Sequence, residues 1–332
     1  MLYDYKNINF MALLPCPLRV AFEKTAMTRS RQFEKQYGET VKCVTVSGMD
    51  NNIMAELASI TDINEWPEVI MLPGYGLPFS ESFKRRFRDT GCFESIMEED
   101  NPLYLESGIY DPKHYYDVIG VGVIVFVVDK TYNEELETPK SWYELTTDEC
   151  YAQTVGMVGH EWAGFQDSPV INAYKLGGED MVRGLAKSAK CCLLAAEMVR
   201  MAGSKRGIAP EVIILSYNMA RAAIKNDKTQ LVWPEEGAGS VPLVLLTKKS
   251  ASEKARQLAK YLICEETASV LNMGGFYASA DTKPYGEGQL MWPGWEFLET
   301  TDMPKLSMKL NKIMMENANI IRTRKAPQEC AL

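Results

Sequence analysis

Residues 116–130 read YDVIGVGVIVFVVDK, an almost unbroken apolar run of strand length. The run falls short of a membrane span and reads as a long strand. On its N-terminal side three shorter apolar runs alternate with helical patterns. NINFMALLP is followed by PLRVAFEKTAMTRSRQFEKQYG, VKCVTVSG by DNNIMAELASITDI, and PEVIMLPG closes the series. Pro17 sits in the first turn of the first helix and Gly38 after its last, the usual asymmetry of helix ends. This β-α-β-α-β order builds a parallel sheet covered by helices. On the C-terminal side TPKSWYEL starts a short helix and AQTVGMVG is a strand. Two helix patterns cover roughly residues 168–202, including CCLLAAEMVRMAG, whose Cys, Leu and Met stripe suits a helix core. PEVIILSYN and TQLVWPEEG then read as strands with a helix between them. VPLVLLTKKS is a further strand, SEKARQLAKYLICEETASVLNMGG one long helix ending at Gly274, and the last stretch is helical.

The totals agree with more than one core. The chain has 332 residues, 46% of them hydrophobic, and single cores stop growing beyond about 250 residues. The pattern predicts an α/β protein of two lobes, each a sheet covered by helices, with a ligand cleft between them. Lobe 1 takes residues 1–119 and about 241–285, lobe 2 takes 120–240, and 286–332 form a C-terminal helical segment. Net charge is −8 with Lys and Arg scattered, which disfavours nucleic acid and anionic membrane surfaces as partners. No membrane insertion is expected, and the protein is read as a monomer. The N-terminus MLYDYKNINFMALLP has no basic stretch and no small-residue cleavage site. That places the protein in the cytoplasm if Met1 is native, or in the periplasm or outside the cell if a leader has been removed. The eight cysteines include no C-x-x-C pair and read mostly as small buried hydrophobes.

Three stretches in this order, PEVIMLPG, then VIGVGVIVFVVDK with TPKSWYEL, then LVWPEEGAGSVPLVLLTKKSASEKARQLAKYL, resemble the type II periplasmic binding fold. They are most similar to extracellular solute-binding proteins of ABC transporters of the iron, thiamine and polyamine kind. In that group a hinge strand leads to a Pro-x-x-Trp-x-x-Leu segment, here Pro139, Trp142 and Leu145. A later Pro-Glu-Asp/Glu-Gly-Ala turn lines the ligand, here Pro234 to Ala238. A narrower resemblance, at PCPLRVAFE, WPEEGA and WPGWEFLE, is to leaderless substrate-binding proteins of anaerobes. Some of those carry an N-terminal redox-type domain with paired cysteines, which this chain lacks. The resemblance implies a small-molecule or metal ligand, an ABC permease as a possible partner, and closure by hinge motion.

In open parallel sheets ligands sit beyond the carboxyl ends of the strands. That rule selects Pro15, Cys16, Gly74, Tyr75, His160, Ser168, Ser216, Tyr217, Glu235 and Glu236 as ligand-binding candidates. Cys16, between two prolines at a helix start, would be a thiolate favoured by the helix dipole or a small packing residue. His160 directly follows a strand end and would bind a metal or an anionic group, or hydrogen-bond its own loop. Cys16 and His160 together would suit zinc, copper, nickel or an iron centre, with Tyr75, Tyr217, Glu235 or Glu236 completing the set; a bound metal ion or iron–sulfur centre is thus a candidate cofactor. His114 reads as a surface or hinge residue. Gly74 and Gly76 free the backbone around Tyr75, which would offer a ring face or a phenol. Asp167 or Ser168 would cap the helix that follows, with Pro169 in its first turn. Glu235 and Glu236 favour a cationic or hydroxyl-bearing ligand, with one of them left in solvent. Trp292 and Trp295 would clamp the C-terminal segment. The residues fit a non-catalytic solute binder best. An enzyme using Cys16 and His160 on the same fold, and a conventional uptake receptor, are the alternatives.

Overall fold

The computed structural model describes residues 2–48, 50–131, 133–204, 208–280 and 288–322, with backbone alone at Cys16, Pro17 and Asn51. The first part of the chain runs β1 (Phe10–Leu14), α1 (Cys16–Tyr37), β2 (Cys43–Ser47), α2 (Asn51–Ser59) and β3 (Val69–Pro73). It continues with α3 (Glu81–Phe83), which widens into a π-helical stretch to Arg88, then β4 (Phe93–Glu94) and α4 (Pro102–Glu106). The middle holds β5 (Asp117–Asp129), α5 (Trp142–Thr147), β6 (Val155–His160), β7 (Gly164–Phe165), α6 (Asp167–Ser188) and β8 (Ala189–Leu193). After these come α7 (Ala195–Met201), β9 (Val212–Ser216), α8 (Tyr217–Ala223), β10 (Thr229–Val232) and β11 (Ala238–Lys248). The chain ends with α9 (Glu253–Leu262), α10 (Glu265–Met273), β12 (Phe276–Ala278), β13 (Leu290–Met291), α11 (Trp295–Thr300) and α12 (Met303–Asn317). No helix among the described residues is long and apolar enough to cross a membrane.

Two compact units result. The first comprises Met1–Gly122, Val241–Gly286 and Gly294–Pro304. Its strands β1, β2 and β3 are parallel, with β1 in the middle, and β11 joins β3 antiparallel. All five residues of β1 are buried, as a central strand with helices on both faces requires. Phe22 and Phe33 of α1 and Leu258 and Leu262 of α9 pack on Phe10, Leu14, Met71 and Leu245. Each such side chain stabilises the unit by about 1.5–3 kcal/mol. Gly38 ends α1 in the left-handed conformation at φ 70° and donates its N–H to Glu34 O at 2.9 Å, the glycine stop the sequence indicates.

The second unit comprises Val123–Ser240, Glu287–Pro293 and Lys305–Leu332. Here β5 is flanked by antiparallel β9 and β10, and β6 lies parallel between β9 and β8. The chain passes from one unit to the other within β5 and again within β11.

Three local expectations are corrected. Residues 189–193, AKCCL, form β8 rather than helix, and Cys191 and Cys192 are fully buried in it. A fully buried strand and a buried helix segment share the same apolar composition, so periodicity does not separate them over five residues. The long helix expected over 252–274 is broken into α9 and α10 at Ile263 and Cys264. Thr267 Oγ1 accepts the Cys264 N–H at 3.1 Å and restarts the helix. Neither Asp167 nor Ser168 caps α6: Gln166 holds the cap position without a side-chain bond.

Candidate functional site

Each unit gathers the carboxyl ends of its parallel strands on one edge. In the first unit Gly48 N–H donates to Leu14 O at 2.7 Å just beyond the ends of β1 and β2. A Cβ on Gly48 would come within 2.9 Å of Pro73 Cγ and 3.1 Å of the Leu14 carbonyl carbon, so only glycine lets the three strand ends converge. Gly74 follows β3 at φ 79°, with open space around it, and its N–H bonds Pro242 O at 2.7 Å. There the left-handed backbone, not crowding, selects glycine. Pro15 holds the N-cap position of α1 in an extended conformation, and its carbonyl accepts the N–H groups of Leu18 and Arg19. Cys16 is the first residue of that helix; its side chain lies outside the described residues. Tyr75 is buried, with its ring 6.1 Å from that of Phe79. Phe79 in turn meets Tyr116 and Trp295. Trp295 Nε1 donates to Ile109 O at 2.9 Å, which fixes the segment 294–304 within the first unit. This edge is therefore shaped mainly by backbone, glycine and proline.

The second unit's edge carries more side-chain chemistry. Its strands β6, β8 and β9 are parallel, and β10 runs the same way because both it and β9 oppose β5. At the end of β6 the chain turns through a tight hairpin in which His160 faces Gly164 across the β6–β7 pair. His160 is half-buried, and its Nδ1 accepts the Trp162 N–H at 3.3 Å. A neutral imidazole that accepts at Nδ1 carries its proton on Nε2. A metal-bound imidazole instead donates its second N–H, so this geometry suits a hydrogen-bond donor rather than a metal ligand.

The hairpin leads straight into α6, because Gln166 N–H returns to Val158 O at 2.8 Å. That places the uncapped start of α6 beside the end of β6; the helix is interrupted further on by non-helical backbone at Gly177 and Gly178. Ser168, in its first turn, is buried. Asp167 Oδ1 accepts Asn311 Nδ2 at 3.1 Å, and the same Asn311 bonds both Phe165 N and Phe165 O. Asn311 thus fixes the junction from α12. It went unnoticed in the sequence because a single Asn in a helical pattern carries no local signal.

Beyond β9, Ser216 Oγ donates to Asn218 Oδ1 at 2.9 Å. Tyr217 stands edge-on to Trp233, with ring centroids 6.0 Å apart. Trp233 Nε1 donates to Gln289 O at 3.0 Å. The Tyr217–Trp233 corner brings the ends of β9 and β10 together, and the strand-end rule selects only its tyrosine. The signal for Trp233 was its place one residue before the Pro-Glu-Glu-Gly turn.

That turn has another task. Glu236 accepts the N–H groups of Trp142 and Tyr143, each at 2.9 Å, and so supplies the first turn of α5 with acceptors. Trp142 Nε1 donates to Gly237 O at 3.1 Å. The Pro-x-x-Trp and Pro-Glu-Glu-Gly segments, far apart in sequence, therefore lock each other. Glu236 is committed to that lock, whereas Glu235 is exposed.

Cys16 belongs to the first unit and His160 to the second. Among the described residues no group of three or more His, Cys, Asp or Glu is arranged to hold a metal ion. His114 is exposed and pairs with Glu99 at 3.0 Å. Burial pushes the Cys43 thiol up to about 11 and the Cys191 thiol up to about 12, which keeps both protonated at neutral pH.

The family model described as bacterial extracellular solute-binding protein matches residues 64–301. A search of curated proteins returns no significant match. Among solved structures, the chain is similar to the Trichodesmium protein IdiA/FutA in complex with iron and citrate, at 15% identity and TM-score 0.63. That match covers 93% of this chain and 98% of the other. The Bordetella ferric binding protein gives 14% identity and TM-score 0.59, covering 93% and 99%. The Streptococcus pneumoniae spermidine/putrescine substrate-binding protein PotD gives 11% and 0.52, covering 95% and 93%. At such identities the likeness establishes the fold.

Proposed function

The chain belongs to the bacterial extracellular solute-binding protein family, and from that premise we propose that it is the solute receptor of an ABC transporter for a small, acceptor-bearing solute. It binds the solute reversibly, performs no chemistry on it, works outside the cytoplasmic membrane and hands its cargo to a permease. The solute carries carboxylate or phosphate-like oxygens, alone or as a metal chelate.

The observation that carries this reading is His160. Its Nδ1 is already an acceptor, so Nε2–H is the group left to donate, beside the uncapped start of α6. A charge-assisted hydrogen bond contributes about 1.5–3 kcal/mol, and a helix N-terminus adds about 0.3–1 kcal/mol for an anion. The chain's net charge of −8 opposes an anion only weakly, because exposed charges farther than about 8 Å are screened at physiological salt. Tyr217 and Trp233 would give the apolar part of the solute a surface to pack on. Commitment of Glu236 to α5 removes one of two carboxylates that favoured a cation. Ser168, Ser216 and Glu235 complete the proposed set of contacts in the second unit. The iron and citrate complex of the Trichodesmium protein is consistent with an oxygen-rich chelate as cargo.

Titration calorimetry with citrate, ferric citrate and spermidine, with native mass spectrometry of the same samples, tests the proposal. Binding of citrate or its ferric chelate, recovered unchanged, is expected. Binding of spermidine alone, or turnover of any of the three, contradicts it. Cell fractionation of the native gene product tests the location.

A further inference from the structure

The two ends of the strand arrangement are finished differently. In the second unit the outer strand β8 is covered by the chain itself: Ile321 N–H donates to Lys190 O at 2.8 Å, and Ile320 is buried. In the first unit β2 ends the sheet, with no strand beyond it among the described residues. Phe10 N–H bonds Lys42 O and Gly48 N–H bonds Leu14 O, so the even-numbered residues of this strand face β1. Cys43 and Thr45 therefore turn their N–H and C=O groups outward. The strand reads CVTVS, without charge or proline. Proteins normally blunt bare edges with such residues.

Beside this edge runs a groove of about 130 Å³, lined by Glu23, Met27 and Arg31 of α1 and by Val41, Cys43 and Thr45. Met27 is 53% exposed. Glu23 and Arg31 lie four residues to either side of it, on one helical stripe. Neither forms a hydrogen bond or ion pair among the described residues. They are too far apart along the helix to meet each other, at about 12 Å for eight residues.

We infer that this groove and edge take a second copy of the chain, in a two-fold dimer with β2 pairing antiparallel to its counterpart. A two-fold axis beside Met27 sets Glu23 of each copy opposite Arg31 of the other. The surface is self-complementary in charge, as an isologous interface requires. The outward N–H and C=O groups of Cys43 and Thr45 find partners in the same step, and the two Met27 side chains cover each other. The dimer departs from the monomer expected from sequence and does not depend on which solute is bound.

Sedimentation of the full chain over a range of concentrations tests it. The wild type should dimerise. Glu23→Lys, which sets lysine against Arg31, should weaken the dimer roughly tenfold. Glu23→Lys combined with Arg31→Glu should restore it. Both positions are on the surface, so circular dichroism should be unchanged in each variant. A monomer at every concentration up to the solubility limit overturns the inference. So does a dimer indifferent to Glu23→Lys, or one that the double exchange fails to restore.

Discussion

The strand-end edges of the two units are built from different materials. In the first unit, backbone and small residues set the edge: Gly48 where strands converge, Gly74 at a left-handed turn, Pro15 ahead of α1. In the second, side chains set it: His160, the Tyr217–Trp233 corner, and Asn311 holding the start of α6. An edge of glycine and proline fixes shape, since it has few rotatable groups to discriminate with. An edge with an imidazole donor and an aromatic corner can read chemistry. On this reading the second unit's edge is the one that selects the solute's functional groups.

The largest effect expected from breaking this contrast falls on the lock beneath the second edge. Trp142→Ala removes a fully buried indole and its bond to Gly237, and should cost about 3–5 kcal/mol in denaturant unfolding. Gly48→Ala strikes the first edge, where the added methyl meets backbone and Pro73. It should cost about 1–3 kcal/mol in denaturant unfolding, because the strand ends must separate. Glu236→Ala leaves two amides of α5 without acceptors. A loss of about 1–2 kcal/mol in stability is expected, with solute affinity unchanged in calorimetry; a tenfold affinity loss would return Glu236 to the binding edge. The smallest stability effect belongs to His160→Ala, within about 0.5 kcal/mol, but its solute affinity should fall roughly tenfold, equivalent to about 1.4 kcal/mol. If His160→Ala destabilises the fold and spares affinity, the role given to the second edge is misassigned.

Most of the architecture was legible because period and punctuation agreed. Pro17 and Gly38 bracket α1, and the apolar run 118–128 could only be a buried strand. Reading failed where local patterns were degenerate. AKCCL fits strand or helix equally, and only its neighbour β6 decides. The break at Cys264 depends on one threonine hydroxyl, which sequence alone does not distinguish from a helical threonine. The site was harder still. Strand ends draw attention to His160 and Tyr217, but a glutamate on a Pro-Gly turn looks the same whether it meets a solute or a helix. Glu236 meets a helix because Trp142, 94 residues earlier, is folded against it, and Asn311 was invisible for the same non-local reason.

Titration of the wild-type chain and of His160→Ala with a tricarboxylate, its ferric chelate and a polyamine tests the central claim most directly. Wild type should bind the tricarboxylate or its chelate and not the polyamine, and His160→Ala should lose about tenfold in affinity with its fold intact. Polyamine binding, or tricarboxylate binding at full strength without the imidazole, would contradict it.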